Sequence, residues 1–453
     1  MRPYCPLVFH VRGKVMTVRK INPFRPGSPV GPGMFVGRLE EIERIEDALV
    51  QTRADQSAHF MITGERGIGK TSLLSYVRYV ATGQIPFEGE PFKFLVVDVD
   101  VSSSTTQLGL VQRVEMAIER RLDKEEKVRR FLHDTWEFLR RIEIADARLR
   151  DGPAETNHEL LLDQFACSLA SVAERTCGKC TGASILNTTY DGILILLDEA
   201  DNSPKELQLG SFLKLLLERL QRQECNRVVI GIAGLSETRE VLRESHPSSV
   251  RMFDELVLER LSNDEVGQVI DIGLEDAETK NGNKTQITDA AKSMLLGLSE
   301  GYPHFIQQFG YSAFDEDTDN IIDINDVGKS AFKPRGALDL IGDRYYRDNF
   351  YKKVQKESYR QVLRIMANEL DGWVTRSRIK LQFKGEETTL NNAINALRER
   401  HIILPKEGER GVYRLQHKGF ALWIKLYGTD SSTLQQELDF HQGDGEAGAS
   451  PAH

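Results

Sequence analysis

The stretch HFMITGERGIGKTSLLSY, residues 59–76, decides how the chain is read. His59 to Thr63 is a short apolar run of strand type, residues 64–71 read GERGIGKT, and a helix-periodic segment starts at Ser72. Strand, glycine loop and helix in that order are the setting in which a backbone wraps a phosphate. Gly64, Gly67 and Gly69 let the chain turn tightly with its N–H groups pointing inward, and the helix beyond adds the positive end of its dipole. Glu65, Arg66 and Ile68 complete the loop and Ser72 closes it, so residues 64–72 are the expected cradle. Lys70 sets a point charge against the β and γ oxygens, and Thr71 offers a hydroxyl ligand to Mg2+.

Further along, Gly192 to Leu197 is a buried-strand pattern that delivers two carboxylates, Asp198 and Glu199, at its C-terminal end. In an open α/β sheet that edge is where ligands bind. Adjacent acids after a strand also serve to start helices. With a phosphate loop upstream the chemical reading is favoured: Asp198 in the Mg2+ shell and Glu199 polarising water for attack on a γ-phosphate.

Other strand patterns fall at Phe92 to Asp98, Val228 to Ala233 and Glu255 to Leu258, each followed by a loop or helical run, which is the alternation of a parallel sheet with crossover helices. One crossover is enlarged. Gln107 to Arg150 is charged and helix-periodic, and after Gly152-Pro153 a second amphipathic run covers Leu160 to Glu174. We therefore expect a core over 22–260 with a helical insertion at about 105–182, open to two readings: a solvated elaboration or a surface for a protein partner. A helical lid over 261–336 and a C-terminal domain over 337–428 complete the expected division.

The composition, 453 residues with 40% hydrophobic and 28% charged, is that of a globular chain of two or three domains. No apolar run approaches the ~20 residues of a membrane helix. Five cysteines form no disulfide framework, which points to a reducing, cytoplasmic setting. The first twenty residues carry five basic side chains and no acid, without an apolar signal core; residues 1–21 are read as an N-terminal extension, and Met16 is a candidate start that would leave the part before it untranslated. Thr429 to His453 is polar and is expected to be a disordered tail.

Taken together, GERGIGKT and the Asp198-Glu199 strand resemble the AAA+ and STAND class of P-loop ATPases, especially the branch of origin-recognition initiators and related bacterial and archaeal ATPases. The resemblance runs from about Asn22 to Gly428. It implies a parallel sheet of order 5-1-4-3-2, ATP and Mg2+ as ligands, and nucleotide-dependent homo-oligomers. By the same resemblance, Asn22-Pro23-Phe24 and the segment with Phe35, Val36 and Arg38 form a box beside the adenine. Ser236 stands in the position of the γ-phosphate sensor, without the usual Asn. Arg251, with Arg243 as its rival, stands where an arginine reaches a neighbour's nucleotide. Pro303, in Gly301-Tyr302-Pro303, matches the Gly-x-Pro of STAND lids that packs near the adenine.

Net charge is −9, yet Tyr351 to Gly428 holds 16 Lys and Arg against 8 Asp and Glu. The segment parses as three helices, at Gln355 to Leu370, Thr375 to Phe383 and Glu386 to His401, followed by a hairpin through Gly408. That is the plan of a winged helix-turn-helix. In its third helix Leu390, Ala393, Ile394 and Leu397 form the buried face. Thr388, Asn391, Asn392, Asn395 and Arg398 are left to read base edges in double-stranded DNA, with Arg410 in the wing for phosphate. The same basic surface also suits a protein contact or the acidic remainder of the chain.

Cys177 and Cys180 have the spacing of a zinc knuckle but lack a second pair. The acids between Asp315 and Asp326 lack the glycine and glutamate of a calcium loop. The leading expectation is thus an ATP-hydrolysing switch, slow in turnover, that couples nucleotide state to assembly or to DNA or partner binding. Two rivals stand beside it: a DNA-binding regulator or replication-initiator-like protein with slow or no hydrolysis, and a scaffold subunit of a bacterial defence complex.

Overall fold

A computed structural model describes residues 20–86, 90–122, 125–148, 158–177, 189–369, 372–406 and 408–428. The expectations for the extension before residue 20, for the tail and for Cys180 lie outside them. The chain forms two compact units: Gly27–Ile272 with Tyr302–His304, and the remainder.

In the first unit α1 (Leu39–Arg53) precedes β1 (Phe60–Gly64), and α2 (Lys70–Ala81) follows it. Next come β2 (Phe94–Asp100), then α3 (Gln107–Leu122), α4 (Glu126–Thr135), α5 (Glu137–Arg148) and α6 (His158–Thr176). β3 (Gly192–Asp198), α7 (Leu209–Arg222), β4 (Val228–Gly234), α8 (Thr238–Ser245), β5 (Asp254–Leu258) and the start of α9 (Asn263–Asn281) complete it. All residues of β1 and β4 are buried, as are the first six of β3, because a parallel sheet covered by helices on both faces has no polar side to show. The sheet runs β2-β3-β4-β1-β5 with every pair parallel, which read from its other edge is the expected 5-1-4-3-2. The C-terminal ends of β1 and β3 therefore open on the same edge, with β4 between them.

The inserted helices are part of the core. Val111 and Ile118 of α3, Trp136, and Phe165 and Leu169 of α6 share one buried cluster with Val97 of β2 and Ile195 of β3. Phe165 stacks on Phe212 of α7 with ring centroids 6.1 Å apart. Each such side chain contributes ~1.5–3 kcal/mol when taken from water, so these helices do not stand off the domain as a purely solvated arm.

In the other unit, β6 (Gln286–Ile287), α10 (Asp289–Ser299), the body of α11 (Pro303–Glu316), β7 (Ile321–Ile322), α12 (Ile324–Phe332) and α13 (Ala337–Ile341) lead to the C-terminal module. The acidic run that falls short of a calcium loop has a local use: Asp323 caps α12, accepting from the amides of Asn325 at 2.8 Å and Asp326 at 3.0 Å. The module comprises α14 (Glu357–Ala367), β8 (Val374–Thr375), α15 (Arg376–Gln382), α16 (Glu387–Glu399), β9 (Ile403–Pro405), β10 (Val412–Leu415) and α17 (Lys418–Tyr427). It packs the three-stranded antiparallel sheet β8-β10-β9 with the helices α14, α15 and α16, the element order expected for this segment. α17 departs from the sequence reading, which ends at the hairpin. It buries Phe420 and Trp423, the latter edge-on to Phe350 at 5.9 Å.

Candidate functional site

The loop between β1 and α2 is built for an anion. Gly69 holds φ +104°, a conformation L side chains rarely adopt, and no side chain caps the N-terminus of α2. The ammonium of Lys70 donates to the carbonyls of Gly64 and Glu65, both at 2.9 Å, and so lies inside its own loop. Burial lowers the Lys70 pKa, opposed by the carboxylates of Asp201, Asp198 and Glu237. Ile68 is buried, Arg66 is exposed, and Ser72 is half-buried at the first turn of α2.

Across the edge, the hydroxyl of Thr71 donates to the Asp198 carboxylate at 3.0 Å, bringing together two residues 127 positions apart. Burial pushes the Asp198 carboxyl up, against the pull of its hydrogen bonds from the Glu199 amide and from Thr71. One hydroxyl and one carboxylate at this separation are the hard oxygen donors that Mg2+ takes, its remaining positions being filled by water and phosphate. Glu199 is exposed, in left-handed backbone at φ +56°, and its carboxylate accepts from the Asn202 side chain at 3.2 Å.

Beyond β4, Ser236 is exposed, and the preceding Leu235 donates its amide to Asp201 at 2.8 Å. Arg251 is exposed in a short turn over Ser249–Met252, whereas Arg243 pairs with Glu240 at 3.1 Å.

The proposed adenine box falls in two parts. Asn22 and Phe24 fold with α11: the Asn22 amide donates to the Tyr311 carbonyl at 2.9 Å, and Phe24 is buried. Phe35 and Arg38 fold with the phosphate loop. Phe35 stacks on Tyr76 of α2 at 5.1 Å, with Val36 half-buried beside it in sequence. Arg38 directs its guanidinium to the Glu259 carbonyl and, at 3.4 Å, to that of Ile68. It serves as a backbone tie to the loop.

Three residues that sequence reasoning did not single out join the loop from elsewhere. Tyr302 donates its phenol to Glu65, while the Arg260 guanidinium lies 4.5 Å from the centre of the Tyr302 ring and 4.0 Å from the Glu65 carboxylate. His304 donates its amide to the Gly67 carbonyl at 3.2 Å, and a Cβ on Gly69 would stand 3.7 Å from Pro303. Arg260 carries no local sequence pattern, and Tyr302 appears in one only as the middle residue of Gly301-Tyr302-Pro303, without a role of its own. Asp201, by contrast, is visible in Asp198-Glu199-Ala200-Asp201 as a third acid of the same run.

In the C-terminal module Thr388, Asn391, Asn392, Asn395 and Arg398 are all exposed along α16, and Arg410 is exposed between β9 and β10. Arg376 occupies the Asn391 side-chain oxygen at 2.8 Å and also pairs with Glu387 at 2.6 Å, and Lys380 pairs with the other Glu387 oxygen at 2.7 Å. Among the described residues no group of three or more His, Cys, Asp or Glu is arranged to hold a metal, and no helix is long and apolar enough to cross a membrane. Burial pushes the Cys177 thiol up to about 12, far from a thiolate ligand at neutral pH.

Residues 34–230 match the family described as AAA ATPase domain. No protein of curated function matches the sequence. Among solved structures, the chain is similar to the Walker-type ATPase of Pyrococcus abyssi, at 14% identity over 86% of this chain and 96% of that one, with a TM-score of 0.50. It is also similar to the ORC2 protein of Aeropyrum pernix in its ADPNP–ADP complexes, at 14% identity over 89% and 96% of the two chains, with a TM-score of 0.52. At these identities the likeness is one of fold.

Proposed function

We propose that this chain, with an AAA ATPase domain over residues 34–230, is a Mg2+-dependent ATPase whose nucleotide state acts as a switch on assembly or on nucleic-acid binding. The observation that carries the reading is the 3.0 Å contact between Thr71 and Asp198 at the mouth of the phosphate loop. On binding ATP, Lys70 exchanges the carbonyls of Gly64 and Glu65 for phosphate oxygens, and the amides at the start of α2 face the same group. Thr71 and Asp198 would hold Mg2+, whose charge would offset that of the phosphates. Glu199 accepts a proton from water as the water oxygen bonds to the γ phosphorus and the bond to the β–γ bridging oxygen breaks, releasing ADP and phosphate.

The exposed amides and arginine of α16 support double-stranded DNA as the partner of the winged helix, and Arg251, exposed in the turn before β5, is our candidate for completing the site of a neighbouring copy. Pro303, next to Gly69, would adjoin bound nucleotide as in STAND-type switches. Calorimetry with ATP and Mg2+, followed by single-turnover phosphate release, tests the reading. We expect binding by wild type and by Glu199→Gln, with hydrolysis lost only in the variant. Absence of binding, or unchanged turnover in the variant, overturns it. Electron microscopy with ATP and with ADP tests the assembly.

A further inference from the structure

The third acid of the Asp198-Glu199-Ala200-Asp201 run lies where two strand ends meet. Asp201 sits in a short 3-10 turn after β3, half-buried, and accepts the Leu235 amide at 2.8 Å just beyond the end of β4. The approach requires a bare backbone at Gly234. A Cβ there would come within 2.8 Å of the Asp201 carboxylate and 2.1 Å of the Thr238 hydroxyl, closer than real contacts allow. Asp201 is also the foremost negative influence on Lys70, ahead of Asp198. One carboxylate therefore touches the segment carrying Ser236 and acts on the phosphate-loop lysine, while its own turn carries Glu199 and Asn202. Asn202 in turn donates to Glu199 at 3.2 Å.

We propose that Asp201 is a positioning residue for hydrolysis: it fastens the Gly234-Leu235-Ser236 segment to the turn that bears Glu199, so that sensor hydroxyl and general base keep one spacing. The inference rests on the ATPase reading above, but its direct readout does not. β3 and β4 are paired neighbours only as far as Leu197 and Ile232, so past those residues the ladder no longer sets the spacing. The Asp201 bond to the Leu235 amide takes over there. Its loss leaves a half-buried amide unpaired and lets the Ser236 loop shift. A misplacement of about 1 Å at a reacting centre costs on the order of 100-fold in rate, while contacts that hold the phosphates in the ground state are untouched.

The test compares Asp201→Ala with Asp201→Asn, which keeps an acceptor oxygen and drops the charge. Hydrogen–deuterium exchange of a peptide over 232–238, without nucleotide, reads the fastening. We expect the Leu235 amide to be protected in wild type and Asp201→Asn and to exchange at least about tenfold faster in Asp201→Ala. With ATP and Mg2+, the alanine variant should bind within about threefold of wild type by calorimetry and hydrolyse roughly 10- to 100-fold more slowly, with Asp201→Asn restoring most of the rate. If Leu235 stays protected in Asp201→Ala, or the alanine variant hydrolyses like wild type, the assignment is wrong. If Asp201→Asn keeps the protection yet loses the rate, charge and not positioning is what matters, and the assignment is again overturned. If wild type binds ATP without hydrolysing it, the ATPase reading fails instead, and the exchange result still decides the fastening.

Discussion

The phenol of Tyr302 donates to the carboxylate of Glu65, joining residues 237 positions apart at the second position of the phosphate loop. A sequence-distant tyrosine thereby holds the loop, and Arg260 stacks on its ring. Tyr302→Phe removes the donor and leaves the ring and its cation contact. A hydrogen bond to a carboxylate contributes ~1.5–3 kcal/mol, reduced here because Glu65 is 41% exposed at its side chain. The expected loss is ~1 kcal/mol, read as a melting temperature lower by about 2–4 °C and faster amide exchange over residues 64–70. Unchanged melting and exchange would show that the bond does not restrain the loop.

Lys70→Met tests the loop from inside. The two carbonyls that Lys70 now engages lose a charged donor, while the loop keeps its glycine conformations and its helix. We expect the variant to fold and to lose roughly 100-fold or more in ATP affinity, the equivalent of one strong charge-assisted contact. Lys70→Arg should rescue little, since a planar fork does not occupy the place of a compact ammonium between two carbonyls 2.9 Å away. Fluorescent-nucleotide titration of both variants checks this, and binding within threefold of wild type by Lys70→Met would remove Lys70 from the phosphate site.

Much of the sheet was legible because its signals are local. FMI and GILILL are apolar along their whole length, which only strands covered on both faces are, and a glycine loop followed by a helix start dictates its own geometry. The module at the C-terminus was legible for the same reason, down to the buried positions Leu390, Ile394 and Leu397. What escaped depends on the meeting of distant segments. Nothing near Tyr302 announces Glu65, and the use of Arg38 on the Glu259 carbonyl appears only once β5 lies beside β1. The sequence reading assigns no helix to KGFALWIKLY, and α17 there buries Phe420 and Trp423. The insertion is open to two readings, solvated elaboration or partner surface, because its charges are visible in sequence while its packing on β2 and β3 is not.

His59 is an acid-sensitive group just before β1. Its Nδ1 accepts the Ile230 amide at 3.2 Å, which only a neutral nitrogen can do, and burial pushes its pKa down from the ordinary 6.5 to about 4. The unfolded chain therefore binds this proton between pH 6.5 and 4 while the folded chain refuses it. Stability from the group is complete above pH 6.5 and falls as pH drops through that window, by ~3 kcal/mol in all. His59→Asn keeps an acceptor and cannot charge. Urea midpoints from pH 7 to 4 should decline more steeply for wild type than for the variant, and parallel declines would refute the assignment.

Glu387 restrains the face that we read as DNA-binding. It lies at the first turn of α16, where hydrogen bonds from Arg376 and then Lys380 hold its carboxyl down to about 2. Two cations that would otherwise face phosphate are thus engaged within the module, and Arg376 also takes the Asn391 oxygen. Glu387→Gln removes the negative charge without shortening the side chain. If α16 meets a duplex, the variant should bind DNA about three- to tenfold more tightly in low salt, and the slope of log affinity against log salt should steepen by about 1 to 2 as the freed cations displace counterions. Arg398→Ala should act in the opposite sense. Mobility-shift titrations at several salt concentrations separate the cases. Should neither change alter binding, α16 is not the reading helix, and the basic module faces protein instead, because a phosphate-contacting surface cannot gain or lose a charge without its salt dependence moving.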